Sequence, residues 1–161
     1  MRQKKLNFDK SKIFKLFQDK KFAKISKISK SILKTFSSDK EIHKIVIFSE
    51  LNIKNFNKAN IVSEKLLNLI GDAETNYIHG NVLKLQKKFK EAIYYYQKAI
   101  KYKEDYFEAY NNLATSQKNI GLKVPTSDEF NEDDLKILNN YKNNFADLIT
   151  NIDNQNLSLI H

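Results

Sequence analysis

The sequence predicts an all-α fold of helical hairpins stacked side by side, and three observations carry that prediction. Apolar residues recur at helical spacing over most of the chain, as at Phe22, Ile25, Ile28, Ile32 and Phe36. Three glycines and one proline in 161 residues leave little turn chemistry for a sheet-rich fold. A pattern of small and aromatic residues opens at Ala73 and begins again 34 residues later at Phe107.

Taken in order, residues 1–8 read as a basic arm. A helix is expected from Asp9 or Ser11 to Phe17, with Asp19 as the cap of the next, and the two make a first hairpin at about 11–36. The apolar stripe named above faces inward in this reading, and Lys20, Lys24, Lys27, Lys30 and Lys34 fall on the opposite face. Asp39 caps a helix through Ile42, Ile45, Val46 and Phe48 to about Ile53, and its partner runs from about Asn57 to Ile70. Gly71 ends that second hairpin, 39–70, as a glycine just past a helix does.

The third hairpin, 72–103, is the clearest. Counting Ala73 as its first position puts Gly80 at the eighth, Phe89 at the seventeenth, Ala92 at the twentieth, Tyr96 at the twenty-fourth and Ala99 at the twenty-seventh. Ala92, Tyr96 and Ala99 then share one helix face, where alanines admit a close neighbour and the ring fills the remaining space. Gly80 costs a helix about 1 kcal/mol relative to alanine, which makes sense only at a tight crossing. Phe56 and Ala59 stand three apart as Phe89 and Ala92 do, as do Phe22 and Ile25, so the earlier hairpins echo this one.

A further unit starts with a helix at 105–120, which places Leu113 and Ala114 at the seventh and eighth positions. Pro125 and Thr126 then interrupt it, because proline breaks a helix interior. Residues 121–130 read as a loop. A capping helix is expected at about 131–152, with Leu135, Leu138, Tyr141, Phe145, Leu148 and Ile152 on its inner side and Glu132, Asp133 and Asp134 in its first turn, followed by a tail at 153–161.

The spacing from Ala73 to Gly121 resembles the tetratricopeptide repeat family, over one full repeat and the first half of another. Asn76, His79 and Leu83 stand where that family usually has a large aromatic, a leucine and a tyrosine, and Glu104 stands at its usual proline. The resemblance implies a right-handed solenoid whose first helices line a concave groove, with ligands held by the second, fifth, ninth and twelfth positions of each repeat. Carried over, these positions are Glu74, Tyr77, Asn81 and Lys84, then Glu108, Asn111, Thr115 and Lys118. In the unit opening near Lys40 they are Glu41, Lys44, Phe48 and Leu51.

Some members clamp the C-terminal carboxylate of heat-shock chaperones with basic residues and two asparagines, and here Asn81 and Asn112 match the asparagines. Tyr77 takes the place of the first lysine and a third basic unit has no counterpart, so that specific function is rejected. What the resemblance implies is a partner protein or peptide in the groove, with no cofactor and no small-molecule substrate.

Charge offers a different reading. The net charge is +9, yet residues 1–40 alone carry thirteen lysines or arginines against Asp9, Asp19 and Asp39, and the other 121 residues sum to −1. The lysine face could track phosphates of nucleic acid or an anionic membrane, or simply be the solvated side of an amphipathic helix. Arg2 is the only arginine, which argues against sequence-specific base reading.

With no cysteine, disulfides, thiolate metal sites and cysteine nucleophiles are excluded. No apolar run is long enough for a signal peptide or a membrane span, so a soluble cytoplasmic protein is expected. His43 and His79 read as packed core residues. No metal, phosphate-loop or nucleophile motif occurs, so catalysis is not expected of this chain, though it could be the recruiting part of a larger enzyme.

Overall fold

The structure is a computed structural model that describes residues 9–121, which fold into seven helices. These are α1 (Lys10–Gln18), α2 (Phe22–Thr35), α3 (Lys40–Asn52), α4 (Phe56–Ile70), α5 (Ala73–Leu85), α6 (Phe89–Tyr102) and α7 (Phe107–Asn119). Each helix packs on its successor, and the odd helices also meet one another, α1 against α3 and α5 against α7. The described residues are therefore three stacked hairpins followed by the first helix of a fourth unit, as the repeat spacing predicts. The arm at 1–8, the loop and capping helix expected at 121–152, and the tail lie outside the described residues, apart from Gly121.

The hairpins share a turn that the sequence hides. Lys20, Lys54 and Lys87 all take positive φ, at 55°, 60° and 62°. In each turn the following N–H reaches back to close the helix end: Lys21 to the Leu16 carbonyl, Asn55 to Glu50 and Lys88 to Leu83, at 2.8 to 2.9 Å. This is the left-handed cap in which glycine is the usual occupant, here filled three times by lysine. It corrects two expectations. Asp19 is the last cap of α1 rather than the first of α2, and Lys20 sits in the turn rather than on the helical stripe. Two residues must be spent closing α1 before α2 can start.

The first helix of each of the three hairpins begins differently. Asp9, Asp39 and Asp72 accept hydrogen bonds from the backbone N–H of Ser11, Ile42 and Thr75, satisfying donors at the starts of α1, α3 and α5. Gly71 ends α4 at φ 70°, as expected.

Two kinds of core result. The N-terminal hairpins bury aliphatics, Ile13, Ile25, Ile32, Ile42, Ile45 and Ile47 among them. The third hairpin is organised around Tyr96, which is fully buried between Ala92 and Ala99. Gly80 faces that ring: a Cβ built on it would lie 2.7 Å from Tyr96 Cε1. The tight crossing is thus glycine against an aromatic ring. Ala114 departs from the pattern, being exposed. The helix that would pack over it in the repeat register falls after residue 121, outside the described residues.

Most polar groups inside are paired, although His43 Nε2, Asn60 Oδ1 and Gln86 Oε1 are buried without a hydrogen-bond partner. His79 is buried, hydrogen-bonded to Ser63 at 2.9 Å and set edge-on to Tyr95. His43 is buried with Nδ1 2.9 Å from the Asp39 carbonyl. Glu50 is fully buried, and its carboxylate lies 2.9 Å from Lys58 Nζ and accepts from Ser26 and Asn55, tying α2, α3 and the start of α4. A carboxylate so enclosed needs all of these partners.

Candidate functional site

Tyr77, Asn81 and Lys84 project from α5 toward α7 because they stand four and three residues apart on one helix face. Asn112, one residue past the fifth position of the next unit, comes to meet them. Lys84 Nζ lies 2.5 Å from Asn112 Oδ1, and Asn112 Nδ2 lies 2.9 Å from Asn81 Oδ1 and 3.1 Å from the Tyr77 hydroxyl. The Tyr96 hydroxyl completes the chain at 2.8 Å from Asn81 Oδ1.

The donor and acceptor roles follow from one fixed point. An ammonium only donates, so Asn112 must turn its oxygen to Lys84 and its nitrogen to Asn81. Asn81 must then present oxygen, which receives both Asn112 and Tyr96. Burial pulls the Lys84 pKa below its ordinary value, and no carboxylate lies within ion-pairing distance of it among the described residues. Burial, and then the neighbouring Tyr77, push the Tyr96 pKa up, so its hydroxyl stays a neutral donor.

Other expected positions are placed differently. Lys44 is engaged within the protein, at 2.6 Å from Glu74 and 3.2 Å from Glu41. Glu74 also binds Lys40 at 2.6 Å. Desolvation would raise the Glu74 pKa, but its bonds to Lys40 and Lys44 outweigh that and hold it low. Lys44 is therefore neutralised by the first helix of the next hairpin, which the positional pattern alone does not reveal. Phe48 is 37% exposed and presents an apolar surface on α3, with Leu51 half-buried beside the core. Asn111, Thr115 and Lys118 are exposed on α7 and stay outside the network; the Thr115 hydroxyl donates to the Asn111 carbonyl at 2.8 Å. Glu108 is exposed at the start of α7.

Two features escaped the sequence. Tyr96 reads as a core ring, yet its hydroxyl reaches the polar network. Tyr106 packs against Tyr77 at 4.9 Å between centroids with the rings tilted by 41°, and burial, followed by Tyr77 and Glu108, pushes its pKa up to about 12. Its position before Phe107 was the one available signal. On the opposite charge question, Lys24, Lys27, Lys30 and Lys34 are all exposed along α2, and none forms an ion pair among the described residues. No group of three or more histidines or carboxylates is placed to hold a metal ion among the described residues. No described helix is long and apolar enough to cross a membrane.

Comparison with known proteins bears on the fold that carries this network. Residues 80–121 match the model of the TPR repeat family. Among curated proteins no sequence matches the chain. Among solved structures, the first TPR of Spaghetti (RPAP3), bound to the HSP90 peptide SRMEEVD, aligns with a TM-score of 0.63 at 17% identity, covering 70% of this chain and 90% of that one. A crystal structure of MamA aligns with a TM-score of 0.63 at 23% identity, over 73% of this chain and 68% of that one. The repeat match covers residues 80–121, and over 70% of the chain the fold is similar to that of a solved tetratricopeptide-repeat domain.

Proposed function

We propose that the chain is a protein-interaction module that holds an extended segment of a partner along the groove formed by α3, α5 and α7. The observation that carries this reading is the unspent hydrogen-bonding capacity of the Tyr77–Asn81–Lys84–Asn112 network. Its acceptors are largely used internally: Asn81 Oδ1 receives two bonds and Asn112 Oδ1 receives Lys84. What remains is mainly donors, namely the Asn81 amide, the Tyr77 hydroxyl and two hydrogens of Lys84, against one lone pair on Asn112 Oδ1. A surface of half-buried donors suits backbone carbonyls of an extended peptide, with Phe48 and Tyr77 offering rings at low entropic cost.

The likeness in fold to a repeat domain seen with a bound peptide supports a peptide or protein partner. Tyr77 in place of a lysine argues against the chaperone-carboxylate clamp. We assign the chain no catalytic role and a cytoplasmic site of action, consistent with its lack of cysteine.

The test is affinity purification with the wild-type chain and with Tyr77→Ala, Asn81→Ala and Asn111→Ala combined, helix content being checked by circular dichroism. Partners that depend on the groove should disappear from the variant. An unchanged partner list with the fold intact refutes the reading.

A further inference from the structure

One rung is missing from the ion-pair ladder that ties the odd helices together. The first residue of α1, Lys10, places Nζ 2.6 Å from the carboxylate of Asp39, the N-cap of α3. The first residue of α3, Lys40, repeats this against Asp72, the N-cap of α5, at 2.7 Å, and adds Glu74, the second residue of α5, at 2.6 Å. The first residue of α5 is Ala73 and the N-cap position of α7 is Tyr106, so the third rung has neither lysine nor aspartate. Its glutamate is still there. Glu108, the second residue of α7, stands where Glu74 stands one unit earlier, is exposed, and makes no ion pair among the described residues. A cleft of about 600 Å³ opens at this point, bordered by Ala73, Tyr106 and Glu108.

We propose that this cleft receives the cationic side chain of a bound partner segment, its ammonium taking the place that Lys40 holds one repeat earlier. Glu108 then plays the part of Glu74, and the Tyr106 ring replaces the Asp72 carboxylate as the second attractive surface. The protein itself shows the ring's affinity for such a group, since Lys103 Nζ lies 5.2 Å from the Tyr106 centroid. Lys103 must share or leave that position when the cleft is occupied, which keeps binding of an isolated cation weak. The neighbouring carboxylates do not compete, because Asp72 and Glu74 are engaged by Lys40 and Lys44. The inference rests on the groove reading for the source of the side chain, and it predicts a lysine or arginine in the partner segment where it passes the starts of α5 and α7.

The experiment titrates the isotope-labelled full chain by NMR with Nα-acetyl-lysine methylamide and with its uncharged Nε-acetylated counterpart. The charged probe should give saturable shifts at Ala73, Tyr106 and Glu108, with the uncharged one about three- to tenfold weaker, the range for an exposed ion pair with an aromatic face. Glu108→Gln should weaken the charged probe to a similar extent. Ala73→Lys should supply the missing rung from within and abolish its binding. Equal shifts from both probes, or undiminished binding by Ala73→Lys, overturn the inference. Because no partner is present in this titration, its failure leaves the groove test above untouched, and failure of the groove test leaves the cleft result standing.

Discussion

Gly80→Ala sets two effects of opposite sign against each other. In an exposed helix the change gains about 1 kcal/mol, because alanine loses less backbone freedom on folding. Here the added methyl would lie 2.7 Å from Tyr96 Cε1 and 2.9 Å from Cδ1. The ring cannot swing away freely, since it is fully buried and its hydroxyl is held by Asn81 at 2.8 Å. Overpacking of this kind costs about 1 to 3 kcal/mol, so the net expectation is a loss of about 0 to 2 kcal/mol. Urea unfolding followed by far-UV circular dichroism measures it. The decisive comparison is the same change in a Tyr96→Leu background, where Cε1 and the hydroxyl are gone and the remaining branch can rotate. There Gly80→Ala should be less harmful by about 1 kcal/mol or more. If Gly80→Ala alone stabilises the protein by the full helix-propensity gain, the glycine is not there for the ring and the packing argument fails.

Two further predictions follow from the turns and the buried or paired ionisable groups. Lys87→Gly should stabilise the third hairpin by up to about 1 kcal/mol, because a side chain at φ 62° is strained where glycine is not; equilibrium unfolding checks it, and a loss would mean the lysine is anchored by contacts. Lowering pH should reduce stability in two stages, read from thermal unfolding across pH. Burial lowers the His79 pKa from its ordinary 6.5, with Glu64 opposing and Lys88 adding, so the fold prefers neutral imidazole; its contribution is full above about pH 6.5 and is lost as pH falls through the folded value. Asp72 and Glu74 have pKa values held below their ordinary 3.8 and 4.5, because lysine partners outweigh desolvation, so their contribution is full above those values and is lost at lower pH. His79→Leu should remove the first stage and leave the second.

Much of this arrangement is written locally. Helix boundaries follow from apolar periodicity and from aspartate caps, and Asp39, Asp72 and Gly71 act where neighbouring residues alone would place them. The nesting of Gly80, Ala92, Tyr96 and Ala99 is legible too, since small and aromatic residues at fixed offsets encode it. The turns were not legible: lysine at positive φ carries no local mark, and glycine, the usual mark, is absent. Asn81 and Asn112 could be singled out through the repeat register, but their contact depends on the rotation that carries α5 onto α7.

The chain's sequence by itself determined its helices, their pairing into hairpins and the faces that pack, because each of these is decided within one or two turns of helix. Only the tertiary structure decided which polar positions keep free hydrogen-bonding groups and which are used up internally. Lys44 is taken by Glu74 from the following repeat, Asn112 joins the network while Asn111 does not, and Glu108 is left without the lysine its counterpart has. Such assignments depend on how far one hairpin turns relative to the next, a quantity summed over the whole interface and present in no single stretch of residues.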